Sequence, residues 1–261
     1  MELSTYALAI VQGATLDAKL APPAAALTDR APGPARRLEA PGRPASLAIR
    51  PGRLARVPRA QGMSDPAQRA RILHAAANHE LQAIELFAWA LLAFPDAPPR
   101  WRRGLLCILL EEQTHCRRYA ERLAAFGLAF GDLPVSGYFW HKTPTLTSPL
   151  RFVCAMSLTF ESANLDHALD LAARARAAGD ETSAQLFERI HHEELRHVRF
   201  GWRWLARLKD PTHSMWQAYC AHLTYPVRPA FARGAAFSVE ARRRAGLSED
   251  FIAEIGRQSD A

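Results

Sequence analysis

The sequence predicts an all-α chain: a four-helix bundle built from two like hairpins, with an extended arm before it and a helical extension after it. Three observations carry that reading. Four long runs keep apolar residues three and four positions apart, the spacing of a helix face turned to a core. Caps and breakers bound those runs. The same motif, Glu-x-x-His, is written once in each half, at Glu112 to His115 and Glu194 to His197.

The chain divides into residues 1–64, 65–208 and 209–261. Residues 1–20 allow one short helix. The arm after it is scattered with Pro, Gly and Arg, and prolines at that density favour extended backbone. Residues 1–64 hold nine basic residues against four acidic ones, most of the chain's net charge of +7. That arm either contacts a polyanion such as RNA or is a solvated linker that wraps the bundle. No aromatic residue is interleaved in it to stack on bases.

The first long helix opens at Asp65-Pro66, with Asp65 as N-cap, Pro66 at the first helical position and Gln68 at the capping-box position. It runs to Phe94, where Pro95-Asp96-Ala97-Pro98-Pro99 breaks it. The second runs from about Arg100 to Phe126 and stops at Gly127. So short a turn makes the two antiparallel neighbours. About twenty residues, 127–148, then form a crossover long enough to travel the length of a helix. The third long helix spans about 149–177, Gly179-Asp180 ends it, and the fourth spans about 181–208. The remainder reads as two or three short helices, one opening at Ser248-Glu249-Asp250.

On a helix, positions i and i+3 share a face, so each Glu-x-x-His presents a carboxylate and an imidazole together. Leu105, Ile108 and Leu109 lead into the first pair, and Leu186 and Ile190 into the second. Both pairs therefore point inward. Each preceding helix should add one inward carboxylate. In the second half it is Glu161, 33 residues before Glu194. In the first half the choice lies between Glu80 and Glu85, and register decides it. Glu80 stands 17 residues before the turn centred at Ala97, level with Glu112 and His115 at 15 and 18 after it. Glu85 would sit roughly 7 Å off that layer at 1.5 Å per residue.

Buried carboxylates are costly unless a cation neutralises them. Glu80, Glu112, Glu161 and Glu194 carry four negative charges, which two divalent ions balance. Oxygen-rich ligation with His115 and His197 favours iron or manganese over zinc. Glu111 and Glu193 are placed to accept a ring N–H from a ligand histidine, and His191 borders the same cavity. The handful of cysteines, Cys107, Cys116, Cys154 and Cys220, has no C-x-x-C spacing, so no in-chain cluster carries electrons. Free thiols fit a reducing, cytoplasmic setting. The N-terminus lacks a basic leader and no apolar run reaches 18 residues, which argues against a signal peptide and a membrane span.

Two Glu-x-x-His motifs with paired upstream glutamates resemble the ferritin-like di-iron superfamily. More closely, His79-Glu80-Leu81-Gln82-Ala83-Ile84-Glu85-Leu86, Pro41-Gly42-Arg43-Pro44, and Arg196-His197-Val198 with Gly201 resemble the domain-of-unknown-function 455 family. The likeness extends from the arm to the segment 242–247. It implies that Glu80, Glu112, His115, Glu161, Glu194 and His197 hold two iron ions, or manganese. One departure is Asn78, where that family often carries a histidine. Its members are similar to a bacterial tRNA hydroxylase. The resemblance thus implies a non-haem di-iron oxygenase acting on a small molecule or a tRNA-linked base, served by an external reductase. A ferritin-like iron oxidase or peroxide scavenger is the alternative, and an RNA- or protein-binding bundle with structural metal is a third.

Overall fold

The structure, a computed structural model, describes residues 1–258. The chain is all-α and forms two compact units, residues 1–144 and residues from 145 onward. Each unit holds one long helical hairpin together with one of the flanking segments. Among the described residues no helix is long and apolar enough to cross a membrane.

The first unit opens with α1 (Leu3–Gln12) and α2 (Leu16–Leu20), two helices where one was expected. The break falls at Gly13, and α2 starts afresh because the Thr15 hydroxyl accepts the Ala18 N–H at 3.1 Å. α3 (Pro66–Ala93) and α4 (Pro99–Ala124) form the hairpin. Asp65 caps α3 as predicted, its carboxylate accepting the Gln68 N–H at 2.8 Å. α4 ends two residues earlier than expected, and Gly127, at φ +70°, takes the left-handed turn just beyond it.

The arm is laid against this hairpin rather than left in solvent. Arg36 donates its backbone N–H to Leu92 O at 2.9 Å, and the Arg37 guanidinium sits 5.0 Å from the Phe94 ring centre. Asp29 takes both Nε and Nη2 of the buried Arg102 at 2.8 Å. The remaining Arg102 nitrogen donates to Leu91 O and Phe94 O, carbonyls that the end of α3 leaves without helical partners. At Gly42 the arm passes so close to α1 that an added Cβ would lie 2.2 Å from Gln12 O. Only glycine fits there.

The connection after α4 climbs back along α3. Gly131 donates to His74 Nε2 at 3.1 Å, Ser136 O accepts from Asn78 at 3.1 Å, Phe139 N–H donates to Gln82 at 3.0 Å, and Trp140 Nε1 donates to Glu85 at 2.7 Å. His74, Asn78, Gln82 and Glu85 are spaced 4, 4 and 3 residues apart, one stripe of α3. A two-residue parallel pairing between β1 (Ile49–Arg50) and β2 (Val135–Ser136) joins the arm to the same connection.

In the second unit the expected third long helix is interrupted. α5 (Pro149–Ala155) and α6 (Glu161–Ala177) are separated by a π-helical turn at Met156–Phe160. Thr159 Oγ1 donates to Cys154 O at 2.8 Å, five residues back, and lies 2.7 Å from Tyr219 Oη. α7 (Glu181–Leu208) starts where Asp180 accepts the Ser183 N–H at 3.0 Å. Gly201 lets α7 approach the π turn, since a Cβ there would lie 2.4 Å from Ser157 Cβ.

α8 (Met215–His222), α9 (Val239–Ala245) and α10 (Glu249–Gly256) close the unit. The last begins after Ser248, though that side chain makes no capping hydrogen bond. A buried ion pair fastens this extension. Asp166 on α6 takes Arg242 at 2.8 and 2.9 Å and also accepts the Gly234 and Ser238 N–H groups at 2.8 Å. Arginine–carboxylate pairs thus tie the flanks to the hairpins: Arg43 to Glu85 and Arg102 to Asp29 in the first unit, Arg242 to Asp166 in the second.

Candidate metal centre

Each hairpin gathers a buried triad of two carboxylates and one imidazole. In the first unit α3 supplies Glu80, and α4 supplies Glu112 and His115, all buried. One potential ligand atom from each lies within 4.8 Å of the others. Glu112 and His115, one turn apart, already converge, with Glu112 Oε2 3.1 Å from His115 Nδ1. In the second unit α6 supplies Glu161, and α7 supplies Glu194 and His197, again buried and within 4.8 Å of one another. Glu194 Oε2 is 2.9 Å from His197 Nδ1. Glu161 is the first residue of α6, straight after the π turn. An inserted residue of this kind rotates the rest of the helix about its axis, and such turns recur at functional sites.

The donors fit a metal ion. Two buried carboxylates side by side carry two negative charges that burial makes costly. One divalent cation neutralises them, and carboxylate oxygens with one imidazole nitrogen are the ligand types of iron and manganese. These buried Glu and His groups could hold a metal ion. Cys116 adjoins His115 but belongs to neither ligand group. Burial, followed by the charges of Glu80 and Glu85, pushes its pKa far up, and its Sγ donates to Ala77 O at 3.5 Å.

Glu85 belongs to different chemistry. It has no solvent exposure, and Arg43 grips it with Nε at 3.0 Å and Nη2 at 2.7 Å. Lys19 stands 3.1 Å away and Trp140 donates at 2.7 Å. Burial lowers the Lys19 pKa, and Glu85 pulls it back up. Asn78 completes the clasp, accepting Arg43 Nη1 at 3.2 Å. Five residues separate Glu80 from Glu85, about 140° around the helix, so one carboxylate serves the triad and the other serves the arm.

His191 lies outside both triads. It is buried with Nδ1 3.0 Å from Leu165 O, and burial lowers its pKa. Glu111 and Glu193 are half-buried. Sequence reasoning missed the Arg43–Glu85 clasp, the Arg242–Asp166 pair and the π turn. The first had a readable signal: a glutamate on the buried stretch of α3 outside the triad layer needs a cation, and Pro41-Gly42-Arg43-Pro44 supplies one.

No curated protein and no solved structure matches the chain. The family described as Protein of unknown function (DUF455) matches residues 9–253, nearly the whole length, and the chain belongs to that family.

Proposed function

We propose that the six triad residues hold two divalent ions, iron or manganese, one per triad, and that the protein is a non-haem oxygenase acting on an organic substrate. The observation that carries the reading is the duplication itself. Two hairpins that share the Glu-x-x-His motif each bury Glu, Glu and His within 4.8 Å. The reading takes the hairpins as halves of a ferritin-like bundle, the arrangement in which such ligand sets recur. When bound, the ions would supply redox chemistry with dioxygen. The chain's own residues hold and shield the site. Glu80, Glu112, Glu161 and Glu194 provide negative charge that favours oxidised metal, His115 and His197 provide one neutral nitrogen each, and the apolar helix faces exclude water. Electrons come from an external reductase in this reading.

A ferritin-like iron oxidase needs only the helices. Here the flanks are fastened by buried arginine–carboxylate pairs, Arg43 with Glu85 and Arg242 with Asp166. Segments held at such desolvation cost are parts of the fold, which favours a covered substrate pocket over a bare store. Oxygen uptake by the reduced, iron-loaded protein separates the two. Slow uptake that quickens with an organic substrate supports the oxygenase. Rapid uptake without substrate, with iron accumulating as oxide, supports the store and overturns the proposal.

A further inference from the structure

The charge of the chain is uneven. Residues 1–144 hold eighteen basic and twelve acidic residues, against fifteen and fourteen in the remainder. Within the first unit, Lys19, Arg37, Arg43 and Arg102 are consumed by internal contacts. Part of what is left outside is concentrated. Between Glu39 and Asp65 there is no acidic residue, and Arg50, Arg53, Arg56 and Arg59 recur at every third position. All four are exposed, as is Arg71 on α3. Among the described residues none of these five side chains makes an ion pair or hydrogen bond.

Arg56 and Arg71 face one cleft, whose walls include Leu54, Val57, His74 and Leu133. Its imidazole at His74 is uncharged at neutral pH, since burial lowers that pKa to about 4, so the guanidiniums set the sign. Leu54 and Val57 are 56% and 50% exposed between the arginines. Exposed guanidiniums with no internal partner stay available to an anion, and their planar fork matches phosphate oxygens in pairs. A single phosphate in the cleft that Arg56 and Arg71 line would leave Arg50, Arg53 and Arg59 unused. A chain of phosphates can run on from the cleft to Arg50, Arg53 and Arg59, which lie exposed on the same segment of the arm. Two isolated apolar side chains are too few to insert in a bilayer, yet they offer bases or sugars a surface to lie on.

We propose that this face of the first unit binds the phosphodiester backbone of a single-stranded polynucleotide, with one phosphate seated between Arg56 and Arg71. The proposal does not rest on the metal reading: the cleft residue Asn78 is two positions, about 200° around α3, from Glu80.

The test is fluorescence anisotropy of a labelled twenty-nucleotide oligouridylate with the full chain, titrated at 50 and 200 mM KCl. Five phosphate contacts to a single strand give a log–log salt slope of about −3.5, hence a roughly 130-fold loss of affinity across that range. Arg53→Ala/Arg56→Ala/Arg71→Ala leaves two contacts, a slope of about −1.4 and a roughly 7-fold loss. These side chains have no internal partner, so the triple variant should melt with the parent. Arg103→Ala is the control, an exposed arginine on α4 level with the far end of α3, roughly 30 Å along it from Arg71. It should bind as the parent does. Competition by adenosine monophosphate at micromolar concentration would assign the cleft to a free phosphomonoester instead of a chain. Absent oligouridylate binding, an unchanged slope in the triple variant, or binding only to phosphatidylserine vesicles would overturn the proposal.

Discussion

Glu85→Ala is the substitution whose outcome the structure fixes most narrowly. It removes the anion between Arg43 and Lys19, whose side chains are 3% and 1% exposed. Two buried cations then face each other with no counter-charge. Breaking a buried pair in this way costs roughly 3–5 kcal/mol, which for a chain of this size lowers Tm by roughly 6–20 °C. The loss should ease with rising pH. Burial already lowers the Lys19 pKa and Glu85 opposes that shift, so without Glu85 the amine sheds its proton earlier. A base with a lowered folded pKa leaves the unfolded chain binding more protons, and stability then rises with pH. Glu80→Ala makes the contrast. It removes one carboxylate of the triad that also holds Glu112 and His115, so the variant should lose metal, while its metal-free form should melt closer to the metal-free parent than Glu85→Ala does. Thermal melts from pH 7 to 9.5, run beside metal analysis, read both. If Glu85→Ala melts within about 2 °C of the parent, or loses metal while Glu80→Ala does not, the division of labour along α3 is wrong.

Gly201→Ala should destabilise the second unit by about 1–3 kcal/mol through overpacking, because its Cβ would meet Ser157 Cβ. Ser157→Gly in the same chain should return most of that loss in a urea melt. His74 gives the first unit an acid limit. Its pKa falls from 6.5 to about 4 on burial, so the unfolded chain binds the extra proton between those values and stability drops as pH falls through them. The drop should approach 3 kcal/mol, and His74→Gln, which keeps an acceptor for Gly131, should flatten it.

Much of this fold was legible because its signals are local. Asp65 caps the first long helix where the sequence places it, and the breaks at 95–98 and 179–180 arise from Pro and Gly. Register in the first hairpin put Glu80 level with Glu112 and His115, which is a consequence of helix rise alone. The features that stayed hidden depend on contacts distant in sequence. Glu85 reads as a surplus inward carboxylate until Arg43, 42 residues earlier, is found gripping it. Nothing periodic marks the π turn at Met156–Phe160, because one inserted residue leaves the apolar pattern almost intact. The arm's charge looked uniform in sequence. Folding sorts it into cations spent inside, Lys19 and Arg43, and the exposed row from Arg50 to Arg59.

Metal stoichiometry tests the central claim most directly. The chain is purified without chelators, reconstituted anaerobically with ferrous iron, desalted, and analysed for iron per folded chain. Two ions per chain are expected, falling to one or fewer in both Glu112→Ala and Glu194→Ala with the far-ultraviolet spectrum unchanged. A folded parent that retains one ion or none, or two ions that survive both substitutions, would contradict the account.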